Sequence, residues 1–120
     1  MALEWQDENG LRYLYVDYRG ESPAEQLETL RRLGEAAQEH GPGLRVLIHI
    51  PPNHRPDSEF LEETKRGMRA ARGFDDVRMA FIGASGFGFA VLRGLALVSG
   101  GRGAPPFPTR EKALEYLARP

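Results

Sequence analysis

One run of sequence restricts the fold more than any other. Met79 to Gly101, MAFIGASGFGFAVLRGLALVSGG, carries a single charged side chain, Arg93, in a chain that is 28% charged overall. Each Å² of apolar surface taken out of water is worth roughly 25 cal/mol, so a run like this has to be covered. Its length raises a transmembrane helix, for which about 20 apolar residues suffice. Six glycines interrupt it, however, and Arg93 would sit deep in hydrocarbon. The segment Gly83-Ala84-Ser85-Gly86 also reads as a turn. The run is therefore parsed as a buried strand, Val77 to Ile82, that turn, and a helix from Phe87 to Val98.

The remaining sequence alternates in the same manner, as an α/β domain does. Leu3 to Gln6, the turn Glu8-Asn9-Gly10 and Leu11 to Tyr18 predict a hairpin, because Asn-Gly accepts the positive φ angles of a tight turn. Leu14, Val16 and Tyr18 then share one face. Ser22-Pro23-Ala24-Glu25 combines a hydroxyl cap, a proline at the first helical position and a glutamate at the third, which opens a helix running to His40. Its expected buried stripe is Leu27, Leu30, Leu33, Gly34 and Ala37. Gly41-Pro42-Gly43 stops it, and Leu44 to Ile50 is a nearly continuous apolar strand of the kind covered on both faces. After Pro51-Pro52, Asp57 or Ser58 can cap a helix with Phe60, Thr64, Met68 and Ala71 inward. Ala104 to Pro108 is too rich in proline for a central strand and suits a sheet edge. Thr109 caps a last helix that buries Ala113, Leu114 and Leu117.

With 120 residues and no linker or repeat, residues 1–120 are expected to form a single domain with one modest core. A formal net charge of -1 gives no overall basic field, so nucleic acid is not an expected partner. The chain has no cysteine, hence no disulfide framework or thiolate metal site, which fits a cytoplasmic location. MALEWQDENGLR lacks the basic start and apolar centre of a secretion signal, and no export is expected.

The apolar helix is unusual on both sides. At about 100° per residue, Phe87, Val91, Leu95 and Val98 lie opposite Arg93 and belong on the sheet. Phe89, Ala90, Ala96 and Leu97 flank Arg93 and point away from it. Covering Phe89 and Leu97 recovers roughly 1.5 to 3 kcal/mol each, which favours cover by the segment Pro105 to Phe107 or the last helix, by a second copy in a homodimer, or by a lipid-like ligand or membrane surface.

The turn carries two chemical readings. Serine between a strand and a helix resembles the nucleophile elbow G-x-S-x-G, but Phe87 stands at its fifth position. No histidine follows Ser85 and no aspartate follows Asp76 to complete a triad, so no serine hydrolase and no catalytic residue is expected. The other reading is an anion or head-group site at Gly83, Ser85 and Gly86, where backbone N–H groups of a helix start face a ligand. The same turn also serves simply to pack a helix closely. His40, His49 and His54 have no metal-ligand spacing on one element, and no metal or cofactor is expected. Glu59, Glu62 and Glu63 open a helix, where negative charge complements the dipole.

The order VDYRGESPAEQLETLRRL, VLIHI, EFLEETKRGM, VRMAFIGASGFGFAVLRGLALVSG and PFPTREKALEYL resembles the SpoIIAA-like group of small STAS proteins over Leu11 to Ala118. Members pair a (V/I)DY-G hairpin strand with an AVVG-x-SG strand-turn-helix and a closing F-x-T-x-EEAL-x-WL helix. The resemblance implies an α/β sandwich with a single sheet of about five strands and about four helices, and proteins proposed to bind lipid-like ligands and to associate with membranes through surface helices. Where members often carry an aspartate at the end of the third strand this chain has Ile50-Pro51-Pro52, leaving any role tied to that acid without its residue here. Anti-sigma-factor antagonists, related in fold, carry a phosphorylatable serine where a strand passes into a helix. Ser58 occupies a comparable place, although Arg55 to Phe60 lacks their D-S-S-G pattern, and helix capping is its structural alternative.

The expectation is thus a non-enzymatic domain that self-associates or binds an apolar or lipid-like ligand, with peripheral membrane contact, beside Phe89, Ala90, Arg93, Ala96 and Leu97. The alternative is a protein-interaction module of the anti-sigma-factor-antagonist type acting through His54 to Ser58.

Overall fold

The fold follows from strands that must be covered and helices able to cover them. The computed structural model describes residues 3–52, 57–71, 76–85, 89–90, 93–94 and 104–119, with the side chains of 68–71 outside the description. Its elements are β1 (Leu3–Glu8), β2 (Leu11–Asp17), α1 (Pro23–His40), β3 (Arg45–His49), α2 (Ser58–Ala71), β4 (Arg78–Ile82) and α3 (Arg110–Ala118). Asn9 and Gly10 take φ of 53° and 82°, joining β1 to β2 as the Asn-Gly pair predicts.

The sheet runs β1-β2-β3-β4. The β1–β2 pair is antiparallel and the β2–β3 and β3–β4 pairs are parallel, with Leu14 opposite Val46 and Leu47 opposite Ala80. The expected fifth strand is reduced to a parallel bridge between Phe81 and Pro106. The Phe81 N–H donates to the Pro105 carbonyl (3.0 Å) and the Phe107 N–H to the Phe81 carbonyl (2.8 Å). Prolines at 105, 106 and 108 have no N–H to extend this ladder, so the segment lies on the sheet edge without becoming a strand. Of the fourth expected helix, Phe87 to Val98, residues 89–90 and 93–94 are helical and the rest lie outside the described residues.

Alternation distributes the side chains to two cores. Leu14, Val16, Tyr18, Val46, Ile48 and Ile50 pack with Leu33 and Ala37 of α1 and, at its margin, with Phe60 of α2. On the opposite face Tyr13, Leu47, Ala80 and Ile82 pack with Ala113 and Leu117 of α3. In β3, Val46, Leu47 and Ile48 are all buried, the two-sided cover expected of an apolar run in a parallel sheet. The α1 stripe differs from expectation: Thr29 is buried with Leu33 and Ala37, while Leu27, Leu30 and Gly34 are only half-buried. The Thr29 hydroxyl donates to the Glu21 carboxylate, 2.9 and 3.0 Å from its two oxygens, which satisfies the buried polar group. Leu114 is half-buried rather than buried, at the margin of the second core.

Both ends of α3 are tied to the sheet. At its C-terminus the guanidinium of Arg45 donates to the Leu117 carbonyl (2.8 Å) and that of Arg78 to the carbonyls of Tyr116 (3.3 Å) and Arg119 (2.6 Å), placing positive charge where the helix carbonyls are unsatisfied. At its N-terminus Thr109 accepts from the Lys112 N–H (3.2 Å). Arg110 reaches Gln6 (2.6 Å) and Glu8 (2.5 Å) on β1, and also donates to the Tyr13 hydroxyl. The Tyr13 hydroxyl lies 2.9 Å from oxygens of both Gln6 and Glu8.

This cluster makes stability depend on pH at both extremes. The hydrogen bond from Arg110, and next that from Tyr13, hold the Glu8 carboxyl below its ordinary 4.5. Its contribution is therefore complete above that value and is lost as pH falls. Burial first, and the bond to Glu8 second, push the Tyr13 phenol up from 10.0 to about 12. Its contribution is complete below its ordinary value and is lost as pH rises toward the folded one. Urea unfolding from about pH 3 to pH 12 should show Glu8→Gln with a flatter acid limb and Tyr13→Phe with a flatter alkaline limb than the parent. Curves parallel to the parent in both variants would refute the assignment.

Candidate functional site

The parallel strands β2, β3 and β4 all end at one edge of the sheet, and α1 and α2 both begin there. The ladder continues just past the strands, the Tyr18 N–H donating to the His49 carbonyl (2.9 Å) and the Ile50 N–H to the Ile82 carbonyl (3.0 Å). In open α/β sheets this carboxyl edge is where binding sites form, because successive helix starts and loops meet there.

At the start of α1 the predicted capping box is present. Ser22 Oγ accepts from the Glu25 N–H (3.2 Å) and Glu25 Oε1 from the Ser22 N–H (2.9 Å). For α2 the two sequence candidates separate: Asp57 is the cap, its Oδ1 accepting from the Phe60 N–H (2.8 Å) and its carbonyl from the Leu61 N–H (3.0 Å). Ser58 is the first helical residue, exposed, and among the described residues its hydroxyl has no hydrogen-bond partner. Phe60 anchors this end of α2 edge-on against Tyr18, with ring centroids 5.5 Å apart.

Between the two helix starts lies an open groove of about 460 Å³ lined by Pro23, Ala24, Leu27 and Arg31 of α1 and by Asp57, Ser58 and Glu59. One wall is thus apolar with a guanidinium at its end, and the other is polar and acidic. On α2 one turn beyond Ser58, Leu61 is 46% exposed. The sequence singled out Ser58 but not its company on α1. The spacing 23, 27, 31 marks a helical face, yet Leu27 was expected in the core because a lone leucine does not reveal which side of an amphipathic stripe is left uncovered.

The strand-turn-helix after β4 is a close-packed joint. Gly83 has a φ of +97°, and a Cβ there would come within 2.2 Å of the Ile50 carbonyl oxygen and 2.8 Å of His49 Cδ2. Ser85 is exposed, with Oγ donating to the Pro52 carbonyl (3.4 Å) and its own carbonyl accepting from the Phe89 N–H (3.4 Å). It links the turn to the loop after β3. Gly86 lies outside the described residues, as do Ala96 and Leu97. Of the face proposed around Arg93, Phe89 is half-buried while Ala90 and Arg93 are exposed. His54 also lies outside the description. His49 pairs with Tyr15, ring nitrogen to hydroxyl 2.9 Å, on the sheet face away from α1, and burial holds its imidazole below the ordinary value. Among the described residues no three acidic or histidine side chains are placed to hold a metal ion. No helix among them is long and apolar enough to cross a membrane.

Two variants separate cap from surface. Asp57→Ala should lose about 0.5 to 2 kcal/mol of unfolding free energy while Ser58→Ala stays within about 0.5 kcal/mol of the parent. Equal losses would return the capping role to Ser58. For Gly83→Ala the unfavourable φ and the overlap with Ile50 act together, and thermal unfolding should register a loss of about 2 kcal/mol or more. A neutral effect would contradict the close packing.

No family model matches the chain, and no curated protein matches it in sequence. Among solved structures it is similar to an anti-sigma-factor antagonist (STAS) domain protein from Planctomyces limnophilus, at 18% identity over 98% of both chains, with a TM-score of 0.61. Such a likeness bears on architecture, and it agrees with the motif order in the sequence: the chain has a STAS/SpoIIAA-like α/β fold.

Proposed function

We propose that this chain is a non-enzymatic protein-interaction module of the anti-sigma-factor-antagonist type, which receives a partner protein over the groove between α1 and α2 and is switched at Ser58. The observation that carries this reading is the division of labour at the start of α2. Asp57 does the capping, so the Ser58 hydroxyl stands exposed on the groove wall with no hydrogen-bond partner among the described residues. A phosphate there would add about -1.5 to -2 charges beside Asp57 and Glu59 and across the groove from Arg31, changing the surface a partner meets. Leu27 and the exposed Leu61 supply the apolar contact that a protein interface needs at its centre. The fold likeness to an anti-sigma-factor antagonist supports the same class.

The competing readings, self-association or a lipid-like ligand beside Phe89, Ala90, Arg93, Ala96 and Leu97, have less behind them. The groove between α1 and α2 has charged walls, which suits a protein surface better than an apolar ligand. A photo-crosslinking residue placed at Leu61 or at Arg93, both exposed, distinguishes the surfaces in native cells. Leu61 should capture a discrete protein, and that capture should fall in Ser58→Asp. Capture from Arg93 alone, or unchanged capture by Ser58→Asp, would sink the proposal.

A further inference from the structure

The two edges of the sheet are treated differently. At β4 the Pro105–Phe107 segment takes up the N–H and C=O of Phe81, and its prolines offer no further ladder. At β1 nothing among the described residues pairs with the outer side. Its six residues pair with β2 in unbroken register from Glu8–Leu11 to Leu3–Val16, with no proline and no bulge. The two-residue turn makes Glu8–Leu11 a hydrogen-bonded pair, and the alternation of such pairs turns the N–H and C=O groups of Leu3, Trp5 and Asp7 outward. A straight strand with a regular outward row is a template for one more strand.

The side chains on that row state what the added strand should be. Trp5 is 39% exposed on the α1 face of the strand, with Arg12 of β2 4.9 Å from its ring centroid and His40 of α1 at 5.6 Å, so the ring has a fixed position next to the edge strand's backbone. Glu4 and Asp7 are exposed acids, whereas Glu8 is already paired with Arg110. A second copy of β1 would bring unpaired acids of both chains together, Glu4 on one face of the seam and Asp7 on the other, and like charges near one another across a sheet are destabilising. A strand of alternating cationic and apolar side chains meets Glu4 favourably on one face and lays its apolar side chains beside Trp5, where the Arg12 guanidinium already covers the ring, on the other.

We propose that the open edge of β1 binds an extended basic segment of a partner protein as an added antiparallel or parallel strand, with lysine or arginine facing Glu4 and an apolar side chain against Trp5. This surface is separate from the α1–α2 groove and stands or falls independently of it. Trp5 is the only tryptophan in the chain, so its emission reports occupancy directly. The probe is an acetylated, amidated hexapeptide of alternating lysine and valine, with alternating glutamate and valine as the control. The lysine peptide should shift Trp5 emission to the blue along a saturable curve and move the backbone amide signals of Leu3, Trp5 and Asp7. Glu4→Lys with Asp7→Lys, both surface changes, should weaken it by about tenfold. The glutamate peptide should do nothing. Absence of a Trp5 response, equal binding of the two peptides, or amide shifts scattered over the surface would overturn the proposal. So would a dimer in sedimentation that the lysine peptide cannot dissociate, since the occupant would then be a second copy.

Discussion

Everything else in this molecule depends on the burial of β3 from both sides. Val46, Leu47 and Ile48 are consecutive, so their side chains alternate between faces, and all three are shielded from water. A strand of this composition cannot tolerate a solvated face. Each fully buried Val, Leu or Ile side chain contributes roughly 1.5 to 3 kcal/mol, which is lost if either layer is absent. The chain therefore needs helices above and below, and it has them: α1 and α2 on one side, α3 on the other. The parallel pairing of β3 with both neighbours follows, because the crossovers α1 and α2 return the chain to the same edge each time. That return is what collects the helix starts, the groove and the Gly83 turn in one place.

Much of this was legible in the residues. Ser22-Pro23-Ala24-Glu25, Asn9-Gly10 and Thr109 are local signals whose chemistry acts within four residues, and each does what its type implies. The proline content of Ala104 to Pro108 similarly foretold an edge, because a missing N–H acts wherever the residue is placed. What the sequence did not disclose depends on distant partners. Thr29 is inside because Glu21, eight residues earlier, turns back to accept its hydroxyl bond. Arg45 and Arg78 find their partners, the carbonyls of α3, only far along the chain, where no local signal points to them.

The candidate site was half legible for the same reason. Asp57-Ser58 announces a helix start, but two adjacent capping residues do not say which one caps. Only the bond from the Phe60 N–H to Asp57 Oδ1 settles that, and with it the status of Ser58 as surface. Arg31 and Leu27 join Ser58 through the packing of two helices, a relation that no spacing along either helix contains. Gly83 had two readings in sequence, room for a ligand or close packing, and the nearness of Ile50 and His49 favours the second.

The clamp on α3 has a consequence for the order in which the molecule assembles. Nine residues are too few for a helix that persists alone in water, since about 12 to 15 are marginal even in favourable sequences. Its stabilising bonds also come late in the chain: the Arg45 to Leu117 bond spans 72 positions and the Arg78 to Arg119 bond 41. Such long closures are entropically costly until the strands carrying the arginines are in place. The hairpin and the α1 crossover can form from neighbouring sequence, whereas the second core can close only on a finished sheet. The face beneath α3 is thus covered only once the C-terminal segment has reached the arginines of β3 and β4, so the second core depends on the sheet being formed.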